Sequence, residues 1–276
     1  REYEVKFQPA QIDNGDGEKA YFPGVTEELV EEVLCKLLCD NNYVFHDVKN
    51  SETWVQFSLS MIRRELKARG KQRNFIQIRH AINVMSKCII TLYVDNKEVW
   101  TGSILQDLCT MDRDTYLEDS SSYHGARLPL FISKSINNLR YRQFNYERLM
   151  NCDTALARWL LKKMVLRFKQ AGLTETYRFS MNTVQNESGH LQQGRIIDNR
   201  RKLEAAVQEL KDRGAVADYK TEEKKSGRKI VDVIFIVTPS HNFSQEQIDA
   251  NKKAKENQLH YGKIATLPRP VEMTDF

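Results

Sequence analysis

Arg195-Ile196-Ile197-Asp198-Asn199-Arg200-Arg201-Lys202-Leu203-Glu204-Ala205-Ala206 is the stretch on which the reading of this chain turns. Ile196, Leu203, Val207 and Leu210 fall on one face at about 100° per residue. The spacing predicts a helix from about Arg195 to Arg213, which Gly214 stops. Two strands follow, Ala215 to Lys220 and Ile230 to Val237, around a charged turn at 221–229. Upstream, the apolar positions Leu156, Trp159, Leu160, Met164, Leu166 and Phe168 predict a helix from about Cys152 to Gln170. A short strand or helix start at Tyr177-Arg178-Phe179 and a short helix from Ser180 to Glu187, ended by Ser188-Gly189, come next. The block therefore runs long helix, short helix, turn, long helix, hairpin.

The same order occurs earlier in the chain. Thr26-Glu27-Glu28-Leu29 opens a helix with a threonine cap and acids in its first turn, and Leu29, Val30, Val33, Leu34, Leu37 and Leu38 follow on one face. Trp54 to Leu59 begins as a strand, and Ser58 or Ser60 caps a short helix carrying Ile62 and Leu66 that breaks at Arg69-Gly70-Lys71. A helix at about 74–88 spaces Phe75, Ile78, Ile82 and Met85 along one side, with Ile78, Ile82 and Met85 inward. Ile89 to Val94, the turn Asp95-Asn96, and Glu98 to Thr101 form a hairpin. A helix–turn–helix followed by a hairpin is the outline of a winged helix, whose second helix can enter a major groove. The expected fold is α+β, two tandem winged-helix domains, over 1–143 and 144–240, with a polar tail over 241–276. Residues 110–126 read as a mobile loop, Leu128-Pro129-Leu130-Phe131-Ile132 as a short strand, and 244–258 as a helix before an extended Pro268-Arg269-Pro270 end.

With its apolar face inward, the 195–213 helix turns Asp198, Arg201, Lys202 and Ala205 outward, with Arg195 beside them and Asn199 and Arg200 nearer the core side. Arg and Asn are the usual readers of guanine and adenine edges. In the following turn Lys224, Lys225, Arg228 and Lys229 are candidate phosphate contacts. In the first block, Arg63, Arg64, Lys67, Arg69, Lys71 and Arg73 make a run of net +5 over eleven residues. Gln77, His80, Asn83 and Lys87 lie outward or sideways on the helix after it. A solvated charged face is the ordinary fate of such a run. Its density just before a candidate recognition helix favours phosphate contact.

The 276 residues are 41% apolar and 29% charged, with 12 Gly and 6 Pro, which excludes disordered and collagen-like chains. The formal net charge of +5 averages two unlike segments. Residues 1–52 hold five basic and twelve acidic residues, a net of −7, and the remaining 224 carry +12. An asymmetry of this kind points to a polyanion partner, with the acidic leader facing away from it toward a protein contact. Five scattered cysteines fit a reduced cytoplasmic setting with buried thiols, and no apolar run approaches the roughly 20 residues that span a bilayer. The six histidines are dispersed, with no HExxH, no CxxC and no GxxxxGK[ST], so metal, catalytic and nucleotide-hydrolysing readings have no support. Neither an enzyme nor a cofactor is expected. Trp54, Trp100 and Trp159 read as packing residues.

Phe144-Asn145-Tyr146-Glu147-Arg148-Leu149, with Ala155 and Arg158-Trp159-Leu160, resembles the opening helix of the plasmid replication initiators, iteron-binding proteins with two winged helices. The run from Arg195 to Ala206 with Glu209-Leu210 is similar to their recognition helix. Ser226-Gly227-Arg228-Lys229-Ile230 with Val233, Phe235 and Val237 is similar to their closing wing. The resemblance is strongest over 144–238 and rests on element order over 26–105. It implies a bacterial, cytoplasmic, non-catalytic protein that binds repeated double-stranded sites at a plasmid origin and helps open an adjacent AT-rich region. It further implies a homodimer formed through the first domain, repression of the protein's own promoter, a part in copy control, and host partners such as the replicative helicase. A winged-helix transcriptional repressor and a winged-helix protein-interaction module stay open beside it, and the paired basic faces favour DNA over the latter.

Overall fold

The chain divides into two units, Arg1–Asn138 and Leu139–Phe276. The computed structural model describes residues 2–13, 15, 17–40, 43–109, 123–137, 144–168, 175–192 and 194–265.

The first unit begins with strand β1 (Tyr3–Gln8) and the hairpin β2 (Ala10–Asp13) and β3 (Glu18–Tyr21). Helix α1 (Val25–Cys39) buries Leu29, Val30, Val33, Leu34 and Leu37. Its cap differs from the expected one. Gly24 holds the N-cap position, where its N–H donates to the Glu27 carboxylate at 2.8 Å, and the Thr26 hydroxyl instead accepts from Arg73 Nε at 3.1 Å. Strands β4 (Val44–Asp47) and β5 (Glu52–Phe57) lead to α2 (Leu59–Ala68), capped by Ser58, whose hydroxyl oxygen accepts from the Met61 N–H at 3.2 Å. Helix α3 (Phe75–Lys87) starts in a capping box between Asn74 and Gln77 and buries Ile78, Ala81, Ile82, Val84 and Met85. These three helices pack on one another through those apolar faces, with Ile62 and Leu66 of α2 wholly buried among them. The hairpin β6 (Ile89–Val94) and β7 (Lys97–Ser103) turns at Asp95-Asn96, both with positive φ (50° and 62°), as a type I′ turn requires.

Two segments depart from the sequence expectations, 124–126 and 128–132. The strand before α2 does not join this hairpin. β1 pairs with β6 instead, giving the order β1-β6-β7, while β5 lies in a second sheet ordered β4-β5-β9-β8 with β8 (Gln106–Cys109) and β9 (His124–Arg127). Residues 124–126, expected within a mobile loop, are thus the inner strand of a sheet, where Ala126 is fully buried opposite Val55. The stretch 110–122 of that loop lies outside the described residues. Leu128 to Ile132 is not a strand: helix α4 (Leu130–Asn137) starts there, and the Pro129 carbonyl accepts the Ile132 and Ser133 N–H groups. A short apolar run carries no period that separates the two states.

The second unit runs α5 (Tyr146–Met150), α6 (Ala155–Arg167), β10 (Tyr177–Ser180), α7 (Met181–Ser188), α8 (Ile196–Asp212), β11 (Val216–Ser226), β12 (Lys229–Pro239) and α9 (His241–Ala265). Its sheet is ordered β10-β12-β11, and Phe179 stacks on Phe235 across β10 and β12 with centroids 5.4 Å apart. Leu156, Leu160 and Met164 of α6 meet Leu203, Val207 and Leu210 of α8 and Val233, Phe235 and Val237 of β12 in one core, against which Trp159 packs. Polar groups fix the corners. Arg158 is fully buried, and its Nη1 donates to the carbonyl oxygens of Cys152 and Asp153, each at 3.1 Å. The Glu209 carboxylate on α8 accepts from the Thr154 hydroxyl at 2.6 Å at the start of α6, so the two long helices are tied end to side. The tail is helical over 241–265, and Phe243, Ser244 and Gln247 are buried in this unit, with Arg148 Nη2 donating to Glu246 Oε1 at 2.8 Å. Pro268 to Pro270 lies outside the described residues.

Candidate nucleic-acid interface

In the second unit α7 ends at Gly189, whose φ of +67° is the left-handed cap that turns the chain toward α8. Leu191 anchors that turn in the core, and Lys202 Nζ donates to the His190 carbonyl at 2.8 Å. Leu203, Ala206, Val207 and Leu210 face inward, which leaves Ile197, Arg201, Ala205, Gln208 and Asp212 as a solvent-facing stripe along α8. Arg201 is 78% exposed and Arg195, at the helix start, 82%. Both lie beside Asp198, Arg195 Nε at 3.0 Å and Arg201 Nη1 at 4.0 Å. The first turn thus offers two long cations held loosely by one carboxylate, next to a helix N-terminus whose N–H groups favour an anion.

Two of the expected readers are not on that surface. Asn199 is buried, so its amide cannot reach a base edge. Arg200 points at the hairpin: Nε donates to Glu204 Oε1 at 2.8 Å, Nη1 to Glu223 Oε1 at 2.8 Å, and Nη2 to Thr221 Oγ1 at 3.3 Å. The Glu204 and Glu223 carboxylates raise its pKa further, and Glu223 in turn is held below the usual carboxylate range by Lys225 and Arg200. Arg200 is a strut between α8 and β11.

The hairpin is longer than expected. Its strands pair through Ser226 and Lys229, so the turn is only Gly227-Arg228, with Gly227 at φ +61°. The glycine-first pattern suits a type II′ turn. Residues 221–226 escape recognition as strand because charged side chains occupy both faces there, leaving no alternation to read. Lys224, Lys225, Arg228 and Lys229 are all exposed at the far end, where Lys225 Nζ lies 3.0 Å from Glu223.

In the first unit Arg63, Arg64 and Lys67 are exposed on α2, and the Arg63 guanidinium sits 4.7 Å from the centroid of the Phe75 ring at the start of α3. The rest of that basic run is divided. Arg69 Nε pairs with Glu65 at 3.2 Å. Arg73 donates to Thr26 and to the carbonyls of Lys71 and Gln72, which makes it a link between α1 and the turn. Lys71 is half-buried, Gln77 completes the α3 cap, and His80 is half-covered by the Tyr21 ring, edge-on at 4.6 Å. Asn83 is half-buried and Lys87 exposed.

Three further residues of the two helices are exposed, Arg79 and Ile76 on α3 and Ile197 on α8, and neither charge clustering nor apolar spacing in the sequence marks them. Ile76 and Ile197 are 80% and 58% exposed. Neither isoleucine falls on the inward face set by Ile78, Ile82 and Met85 or by Ile196, Leu203, Val207 and Leu210. The thiols also differ from expectation. Cys88 and Cys152 are buried, but Cys35, Cys39 and Cys109 are exposed, and none of the five forms a disulfide. Among the described residues no cluster of His, Cys, Asp or Glu could hold a metal ion, and no helix is long and apolar enough to cross a membrane.

No protein-family profile matches the chain, and no curated protein does. Solved structures do. A structure of domains 2 and 3 of RctB superposes with a TM-score of 0.50 at 12% identity, covering 91% of this chain and 96% of that one. A second structure of the same two domains gives 0.51 at 12% identity over 85% and 91% of the two chains. The Pi initiator protein, solved in complex with iteron DNA, gives 0.52 at 12% identity over 78% of this chain and 90% of its own. At that identity the likeness is one of fold: this chain is two winged-helix units in tandem, the architecture of an initiator solved on its repeat DNA.

Proposed function

We propose that the protein is a replication initiator that binds repeated double-stranded sites at a plasmid origin. The observation that carries this reading is the recurrence, in both units, of a capped or anchored turn leading to a helix with an exposed, partly cationic outer face. The likeness in fold to an initiator solved with iteron DNA supports it. In the second unit, Arg195 and Arg201 read base edges, while Lys224, Lys225, Arg228 and Lys229 hold the phosphate backbone. In the first, Arg63, Arg64 and Lys67 contact phosphate and α3 faces the groove. The protein acts by binding, without catalysis or a cofactor. It opens an adjacent AT-rich segment, represses its own promoter to set copy number, and hands the origin to host factors such as the replicative helicase.

A homodimer belongs to the same proposal. On β1 the side chains of Tyr3, Val5 and Phe7 are 70%, 48% and 49% exposed, and the β1–β6 register sets them beside Val94, Leu92 and Ile90. The face continues onto β7 at Trp100, which pairs with Leu92 and packs edge-on against Phe131 of α4 at 5.1 Å, and it ends at Lys97 opposite Val94. A second copy of the chain is its proposed occupant.

Footprinting on the DNA flanking the gene tests the reading. Protection of several direct repeats at a regular spacing, with permanganate-reactive thymines appearing beside them, is the expected result. A single protected palindrome with no opening would make the protein a repressor instead, and nicking by the pure protein would end the non-catalytic reading.

A further inference from the structure

The two recognition helices begin alike in one respect that their charges do not explain. Each exposes an isoleucine at its second helical position: Ile76 follows Phe75 on α3, and Ile197 follows Ile196 on α8. In both helices the residue before it or two after it is turned inward or partly covered. Ile78 is fully buried, Asn199 is buried, and Ile196 packs on the core. The exposed isoleucines are therefore not slipped core positions. Nor do they form a hydrophobic staple, which joins the positions before the cap and four into the helix. A β-branched side chain in the first turn also adds nothing to helix propensity over alanine. A single exposed apolar residue needs no explanation. Two at the same step of two helices that face the same kind of ligand do.

Their neighbours define what that ligand presents. Ile197 shares the outer stripe of α8 with Arg201, four residues on, and with the small Ala205 beyond it. Ile76 has Arg79 three residues on. Each helix start thus combines one branched aliphatic group with one guanidinium. In a major groove, the N-terminal residues of the second helix lie nearest the base edges. The apolar group exposed there is the C5-methyl of thymine, and the guanidinium's partner is the edge of guanine.

Building on the DNA-binding reading above, we infer that Ile76 and Ile197 are specificity residues, each packing on the C5-methyl group of a thymine in the half of the site its unit reads. A buried methyl contact of this size is worth about fourfold in affinity.

The test uses the full chain. A random-sequence duplex pool is selected on the protein to obtain its preferred site, and that duplex is remade with deoxyuridine at each thymine in turn, which removes only the methyl. Wild-type protein is expected to lose about fourfold in affinity at one thymine in each half of the site. Ile197→Ala is expected to lose about fourfold on the thymine duplex and to show no further loss with uracil at one of those positions. Ile76→Ala should behave in the same way at the other. Both side chains are exposed, so thermal unfolding of the variants should match the wild type, which distinguishes a weaker DNA interface from a damaged fold. If uracil is tolerated everywhere, or if both variants keep the full uracil penalty, the methyl contacts are refuted while selective binding still stands. If selection returns no preferred sequence, the DNA-reading function itself is refuted, and this inference with it.

Discussion

Arg200 and Arg201 are adjacent, chemically identical and put to opposite uses. One step of about 100° along α8 turns Arg200 toward β11, held by Glu223 there and by Glu204 on its own helix, and turns Arg201 into solvent. The consequences separate cleanly on substitution. Arg201→Ala should weaken binding to the preferred duplex by about 1–3 kcal/mol, leaving stability within about 0.5 kcal/mol of the wild type. Arg200→Ala should lower stability by about 1 kcal/mol as its ion pairs disappear and weaken all duplexes alike as the hairpin loosens. Competition titrations beside thermal unfolding measure both. A sequence-selective loss from Arg200→Ala would place that side chain in the groove. The helical wheel puts Arg201 outward and Arg200 nearer the core side. What it cannot supply is the partner, because Glu223 lies 23 residues away and meets Arg200 only once the hairpin has folded back over α8.

The hairpins show the same limit one level up. Asp95-Asn96 is legible as a turn because both residues tolerate positive φ and apolar strands flank it. Ser226-Gly227-Arg228-Lys229 is legible only in part, because the polar arms around it hide their pairing. The neighbour of each hairpin is not legible at all. In the second unit β10 joins β12, the second strand of the hairpin, but in the first unit the third strand is β1, which joins β6, the first strand, and is drawn from a segment more than 80 residues earlier in sequence and pinned by Glu2 N–H donating to Asp95 Oδ1 at 2.9 Å. The two hairpins differ in charge accordingly. The tip in the first unit carries Asp95, Lys97 and Glu98 beside Glu2, a net of −2, whereas the tip in the second carries Lys224, Lys225, Arg228 and Lys229. Only the second is suited to a phosphate backbone. Replacing Lys224 and Lys225 together with Gln should weaken binding to every duplex equally and reduce the slope of log affinity against log salt by about 0.9 for each phosphate no longer neutralised. An unchanged slope would mean that the hairpin does not touch the backbone.

At the scale of the whole chain, the acidic leader acquires a specific place. The largest share of its charge lies on α1, which holds Glu27, Glu28, Glu31 and Glu32 against one lysine, whereas β1 is neutral and presents Glu4, Lys6 and Gln8 on one side and Tyr3, Val5 and Phe7 on the other. A strand exposed on both faces at the edge of a sheet is a liability unless something covers it. The proposed second copy would cover the apolar side and leave the cationic helices and the second hairpin to DNA. Such an interface is testable with the fold kept, because Val5 and Phe7 leave about half of their surface exposed in the isolated chain and neither lies in a buried core. Val5→Glu with Phe7→Glu should set four like charges, two from each copy, into the interface and shift sedimentation from a dimer to a 32.2 kDa monomer. The same variant should unfold near the wild-type temperature and bind a single repeat with unchanged salt dependence, since none of the proposed DNA contacts is touched. A wild-type chain that sediments as a monomer, or a doubly substituted one that stays dimeric, would move the subunit interface off this sheet.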